Sequence, residues 1–192
     1  FTLVSEFMLQ QTQVSIVVPY FNNFIKNIPN LNSLAKIDEK KLLKYWEGLG
    51  YYSRAKNLKE TAKILVSNYK NKLPNTLYEL KTLPGVGEYT ANAILAIVFN
   101  KPFIPLDGNI ERIIKRLLNL KSEKEINKEN LIKQKKILGT SNRSSDYAQA
   151  LMELGALVCK PKNPLCHKCP LTKSCLSYKR KDFEIITVSK KK

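Results

Sequence analysis

The 192-residue chain has no apolar run near the ~18 residues needed to cross a bilayer, and no signal-peptide pattern. Secreted and membrane classes are therefore set aside, and the expected location is cytoplasmic. There is no internal repeat at a solenoid period, no long Gly/Ser linker, and no alternating run that reads as a strand. Repeat architectures, long coiled coils and doubly wound sheets drop out with them. Acidic residues are scarce: 16 Asp+Glu stand against 33 Lys+Arg, a formal net charge of +17. Solubility does not need so large an excess, and its usual partner is a polyphosphate backbone. A general bias toward Lys, Asn and Ile is the plainer explanation of the same number. Cysteine is absent before Cys159, and all four cysteines fall between Cys159 and Cys175. A disulfide framework would be spread along the chain, so the cluster points to a metal site.

What is present reads as short helices with polar turns. Hydrophobic residues make up 43% of the chain, enough for a core without disulfide staples. Ser5 is placed as the cap of a helix running through Met8, Leu9, Val14 and Val17, with Pro19 limiting its far end. Asp38 caps a second, carrying Leu42, Leu43 and Trp46, which Gly48 and Gly50 end. A third starts at Ser53 and repeats apolar residues to Tyr69. Thr76 to Glu79 fits a capping box. Tyr89 to Phe99 is a largely apolar helix expected to be central and buried. Asp107-Gly108-Asn109 opens another helix, Leu131 to Leu138 a weaker one, and Tyr147 to Val158 one that leads into Cys159. The expected class is all-α.

Leu83-Pro84-Gly85-Val86-Gly87 lies between two of these helices. Pro84 cannot continue the first helix, and the two glycines permit close approach of another group to the backbone. Backbone N–H groups at the start of the next helix then form an anion site suited to a DNA phosphate, which makes Gly85, Val86 and Gly87 candidate DNA-binding residues. An ordinary helix–turn–helix connection has the same letters. The cysteines are spaced Cys159, six residues, Cys166, two, Cys169, five, Cys175. Thiolates hold zinc or iron–sulfur clusters. A zinc site usually shows two short pairs, and only Cys166–Cys169 is one. The uneven spacing suits a [4Fe–4S] cluster, with zinc left as the alternative.

The hairpin, the aspartate after it and the cysteine spacing together resemble the endonuclease III superfamily of helix-hairpin-helix DNA glycosylases, and within it the MutY-type adenine DNA glycosylases. The residues carrying the resemblance are Ser5 to Val14, Gly48 to Ala55, Leu83 to Thr90, Leu106 to Asn109, and Glu153 to Cys159. The resemblance implies a two-lobed helical fold with DNA between the lobes. Residues 1–158 would form the helical core, with the hairpin at 83–87 and a return to the cluster lobe from about 122. Residues 159–175 would form a [4Fe–4S] loop on Cys159, Cys166, Cys169 and Cys175, and 179–192 a tail or linker. The implied partner is double-stranded DNA with an adenine mispaired to 8-oxoguanine or guanine, and the implied state a monomer with no membrane association.

The resemblance also assigns roles. Glu6 becomes the general acid that protonates adenine, a task that requires it to hold a proton near neutral pH, which burial favours. Alone, it would be a first-turn glutamate after a capping serine. Asp107 becomes the ionised partner of the positively charged sugar, where alone it would be a helix cap. Asn109 would orient Asp107 or a water, and Tyr89 would face the sugar. Strand-cutting relatives carry a lysine at the Tyr89 position that forms a Schiff base. Its absence implies base removal without strand scission. Gln11 and Tyr51 would wedge into the duplex, and Leu9 and Gln149 would line the adenine pocket. Two departures from the family pattern are expected to matter. The first residue is Phe1 and not Met, without the usual first helix, and the C-terminal 8-oxoguanine-recognition domain is missing; both ends are read as shortened, with weakened discrimination for 8-oxoguanine. A thymine mismatch glycosylase of the same superfamily, or a non-catalytic DNA-binding fragment, remain the alternatives.

Overall fold

The computed structural model describes residues 1–121 and 135–183. The chain divides into two compact units, Phe1–Phe99 and Asn100–Lys192. Every regular element among the described residues is helical, as the sequence predicts. No helix among them is long and apolar enough to cross a membrane.

The first unit holds α1 (Thr2–Leu9), α2 (Val14–Asn27), α3 (Leu31–Lys36), α4 (Glu39–Trp46), α5 (Ser53–Asn68), α6 (Leu77–Thr82) and α7 (Glu88–Ile97). Its core is built on Phe7, Met8, Phe24, Leu34, Leu42, Trp46, Leu58, Leu65, Leu80, Ile94 and Leu95, all almost fully buried. Each such side chain stabilises the unit by about 1.5–3 kcal/mol on burial. Phe24 meets Trp46 edge-on, with ring centroids 6.2 Å apart. α7 packs on α1 and on α6. It buries Ala91, Ala93 and Ala96 together with Ile94 and Leu95, so it is central as expected, and its short side chains allow neighbours close.

Caps were the most legible feature. Asp38 accepts from the Lys41 N–H at 3.1 Å, and Thr76 accepts from the Glu79 N–H at 3.2 Å. The capping box is incomplete in one respect: the Glu79 carboxylate takes the Thr76 hydroxyl at 2.5 Å. Asn30 caps α3 by accepting from the Ser33 N–H at 2.9 Å, an element the apolar periodicity did not reveal.

The helix expected from Ser5 through Val17 is instead two helices. Ser5 lies inside α1 and its hydroxyl donates to the Thr2 carbonyl at 3.0 Å, so it is not the cap. The chain breaks at residues 10–13, where Gln11 has φ +58°. Pro19 lies within α2, in its second turn, where it removes one intrahelical bond without ending the helix. The periodicity runs through the break because residues 10–13 contain neither Gly nor Pro.

The second unit contains α8 (Gly108–Leu118), a 3₁₀ turn (Lys135–Leu138), α9 (Ser144–Glu153), a π-helical turn (Leu154–Val158), 3₁₀ turns at Cys166–Lys168 and Thr172–Ser174, and α10 (Leu176–Lys179). Ile104, Ile110, Ile114, Leu120 and Leu151 form its core. α8 ends where Asn119 takes a left-handed conformation at φ +50°, which asparagine tolerates. The first part of the helix expected over Leu131 to Leu138, and the tail beyond Phe183, lie outside the described residues.

Candidate active site

Glu6 sits on α1 among Leu3, Phe7 and Met8, and is only 4% exposed. A carboxyl in an otherwise apolar, buried stretch carries a desolvation cost that a surface glutamate avoids. Leu9 follows it, half-buried. The chain then docks on the hairpin: the Gln10 side-chain amide donates to the Gly85 carbonyl at 3.2 Å and to the Thr90 hydroxyl at 3.4 Å.

The hairpin itself is held from behind. The Thr61 hydroxyl of α5 donates to the Pro84 carbonyl at 2.9 Å, and the Val86 N–H donates to the Leu83 carbonyl at 3.1 Å. Val86 is 5% exposed, so its side chain anchors the turn while Gly85 and Gly87 face solvent. The two glycines differ physically. Gly85 has φ +77°, and a Cβ there would lie 2.7 Å from the Phe7 ring and 2.9 Å from Asn57 Cβ. Gly87 is extended at φ −83°, and a Cβ there would meet nothing within 4 Å. It is the N-cap of α7, with no side chain to bond the first amides of that helix. Tyr89 is half-buried in the first turn of α7. Gln11 and Tyr51 are both exposed at the surface of this unit, and both have positive φ, +58° and +46°.

In the second unit Asp107 caps α8. One carboxylate oxygen accepts from the Ile110 N–H at 2.7 Å, and the other accepts from the Asn109 side-chain amide at 3.1 Å. The Asn109 oxygen is in turn held by Arg112 at 2.8 Å. Arg112 also donates to the carbonyls of Gly155 at 2.6 Å and Cys159 at 2.7 Å. Burial lowers its pKa, and the neighbouring Cys159 and Asp107 oppose that shift. Gly155 permits the arrangement, since a Cβ there would lie 2.5 Å from Asn109 Cβ. The sequence therefore placed Asp107 and Asn109 together correctly as neighbours, but Arg112, three residues on and one helical turn away, went unassigned. Gln149 is exposed, and its amide donates to Ser145 of its own helix.

The four cysteines are unpaired and half-buried. Burial raises the Cys166 thiol, and the neighbouring Cys159, Cys169 and Cys175 add to the rise. Burial likewise raises Cys169. Buried Arg116 brings a cation to this group: its guanidinium lies 3.4 Å from Cys159 Sγ and donates to the carbonyls of Lys160 at 2.6 Å and Pro161 at 2.8 Å. Cys175 Sγ donates to the Arg116 carbonyl at 3.4 Å. Among the described residues no three Cys, His, Asp or Glu side chains close on a position for a single metal ion.

The pattern of the family described as "HhH-GPD superfamily base excision DNA repair protein" matches residues 4–136. The adenine DNA glycosylase of Buchnera aphidicola subsp. Schizaphis graminum is 40% identical over 98% of this chain and 55% of its own length. That of Homo sapiens is 38% identical over 97% of this chain and 35% of its own length. The chain thus spans about half the length of the bacterial relatives it matches. A trapped endonuclease III–DNA covalent intermediate superposes with TM-score 0.78 at 23% identity, covering 94% of this chain and 84% of that one. A thermostable thymine-DNA glycosylase superposes with TM-score 0.77 at 26% identity, covering 93% of this chain and 83% of that one. On this evidence the chain belongs to the HhH-GPD superfamily of base excision DNA repair proteins.

Proposed function

We propose that this chain is the glycosylase part of a monofunctional adenine DNA glycosylase, removing adenine mispaired with 8-oxoguanine or guanine. The observation that carries the reading is the buried Glu6 carboxyl on the helix whose end docks on the hairpin. Adenine anion is a poor leaving group, so the C1′–N bond breaks readily only if the base leaves with a proton. Glu6 supplies that proton. Asp107, at the N-terminus of α8, stabilises the cationic sugar until water adds to C1′. Asn109, fixed by Arg112, orients the Asp107 carboxylate. Tyr89 stands where strand-cutting relatives use an amine, so the sugar is attacked by water and the strand stays intact. Gln11 and Tyr51 hold the duplex open, and Leu9 and Gln149 line the base pocket. A relative at 40% identity named for adenine supports adenine over thymine.

The test is a single-turnover assay on duplexes carrying adenine opposite 8-oxoguanine, adenine opposite guanine, and thymine opposite guanine, each split with and without alkali. Adenine release with alkali-dependent scission is the expected result. Thymine release moves the assignment to the thymine enzyme, and tight binding without release makes the chain a non-catalytic fragment.

The hairpin glycines make a second expectation. Gly85→Ala destabilises the fold by about 1–3 kcal/mol, because alanine must adopt a left-handed backbone and meets Phe7. Gly87→Ala leaves the melting temperature almost unchanged and weakens DNA binding instead. Thermal melts and a binding titration separate the two, and equal destabilisation by both removes the phosphate role of Gly87.

Cys159, Cys166, Cys169 and Cys175 would hold a [4Fe–4S] cluster, which when bound cross-links the 159–175 loop. Cys169→Ser is expected to lose the visible cluster absorption and, with it, DNA affinity. Stoichiometric zinc and no iron in anaerobically purified protein overturns the cluster assignment.

A further inference from the structure

The two exposed tips of the first unit share one anchor. Gln11 and Tyr51 occupy the left-handed region, which costs any residue with a side chain. Both are exposed, Tyr51 by 61%, so their own packing does not impose that conformation. The peptide carbonyl immediately ahead of each tip accepts from the same guanidinium. Arg54 Nη1 donates to the Gln10 carbonyl at 2.5 Å, and Nη2 donates to the Gly50 carbonyl at 3.2 Å. Nη1 also serves Phe7, Met8 and Thr12, while Nη2 also serves Leu49. The nitrogens divide the work: one holds residues 7–12, the other residues 49–50. The guanidinium lies 5.4 Å from the Tyr51 ring centre and 5.6 Å from that of Trp46.

Arg54 is 7% exposed, and burial pulls its pKa below the usual arginine value. Its six acceptors are uncharged: five carbonyls and one hydroxyl. A buried cation in such surroundings carries a desolvation cost that only a precise geometry offsets. We propose that Arg54 is a positioning residue that clasps the Gln11 loop to the Tyr51 loop, so that the two side chains enter DNA as one rigid wedge. The proposal rests on the reading that this chain opens a duplex around adenine. A lysine keeps the charge, but its single nitrogen cannot fork to both loops.

The test uses Arg54→Lys in the full chain. In a Glu6→Gln background, which binds without excising, 2-aminopurine at the target position reports unstacking by its fluorescence. Arg54→Lys is expected to bind within about threefold of its parent and to lose most of the fluorescence rise. With Glu6 intact, excision of paired adenine is expected to fall by about ten- to a hundredfold. Excision of an adenine already extruded in a single-base bulge stays within about threefold. A full fluorescence rise in Arg54→Lys overturns the proposal. So does an equal loss on paired and bulged adenine, which marks a merely structural arginine. If Arg54→Lys does not fold, Thr12→Val removes one acceptor of Nη1, and a smaller loss of the same pattern is expected. Wild-type behaviour of Thr12→Val in that case overturns the clasp. If the parent chain itself releases no adenine from either duplex, the glycosylase reading fails, and the fluorescence measurement still decides the clasp.

Discussion

Glu6→Gln abolishes base release, lowering the single-turnover rate by about 10²–10⁴-fold while duplex binding stays within a few-fold. Glutamine matches the glutamate in shape, so the buried face of α1 is expected to keep its packing. The acid proton is lost, and one carboxyl oxygen becomes an NH2 donor. Glutamine fills the same buried volume, so the melting temperature is expected to change little. Rate, binding and melt measured on one preparation separate chemistry from folding. A variant that loses its rate and its fold together leaves Glu6 as a structural residue. One that keeps its rate shows that the proton comes from elsewhere.

Asp107→Asn is expected to lower the same rate by about 10²–10³-fold, through loss of the charge that stabilises the cationic sugar. The helix cap should survive, because asparagine caps as well as aspartate and its oxygen can still accept from the Ile110 N–H. The second contact cannot survive. The new amide would face the Asn109 amide, now 3.1 Å from a carboxylate oxygen. Asn109 cannot simply flip, since its oxygen is held by Arg112 at 2.8 Å. A modest destabilisation of about 1 kcal/mol is therefore expected beside the large kinetic loss. Asp107→Ala removes the cap too and should destabilise further. If the Ala variant loses more stability than the Asn variant and neither loses its rate more than tenfold, Asp107 is a cap and nothing else.

The candidate site was legible where function and local structure use the same residues. Asp107 is a helix cap whatever else it does, and the pair Asp107 and Asn109 follows from one turn. Gly85 is required by its own backbone angle. The cysteine cluster is visible in the spacing alone. Glu6 was different: its helix could be read, but its burial depends on what the rest of the unit packs against α1. The break after Leu9 has no mark in the sequence, because nothing in Gln10-Gln11-Thr12-Gln13 is a helix breaker.

Helical class, the caps at Asp38, Thr76 and Asp107, the central place of α7 and the clustering of the cysteines were all determined by the sequence itself. These depend on side chains bonding to backbone within a turn, or on apolar spacing along one helix, and both are local. The tertiary structure alone decided what the arginines do. Arg54 reaches carbonyls more than forty residues away, from Phe7 to Gln10, and Arg112 joins Asn109 to Gly155 and Cys159. A long cationic side chain reads as surface in any sequence, because charge in isolation belongs in water. Only a fold that gathers several carbonyls at one point makes burial of a guanidinium affordable.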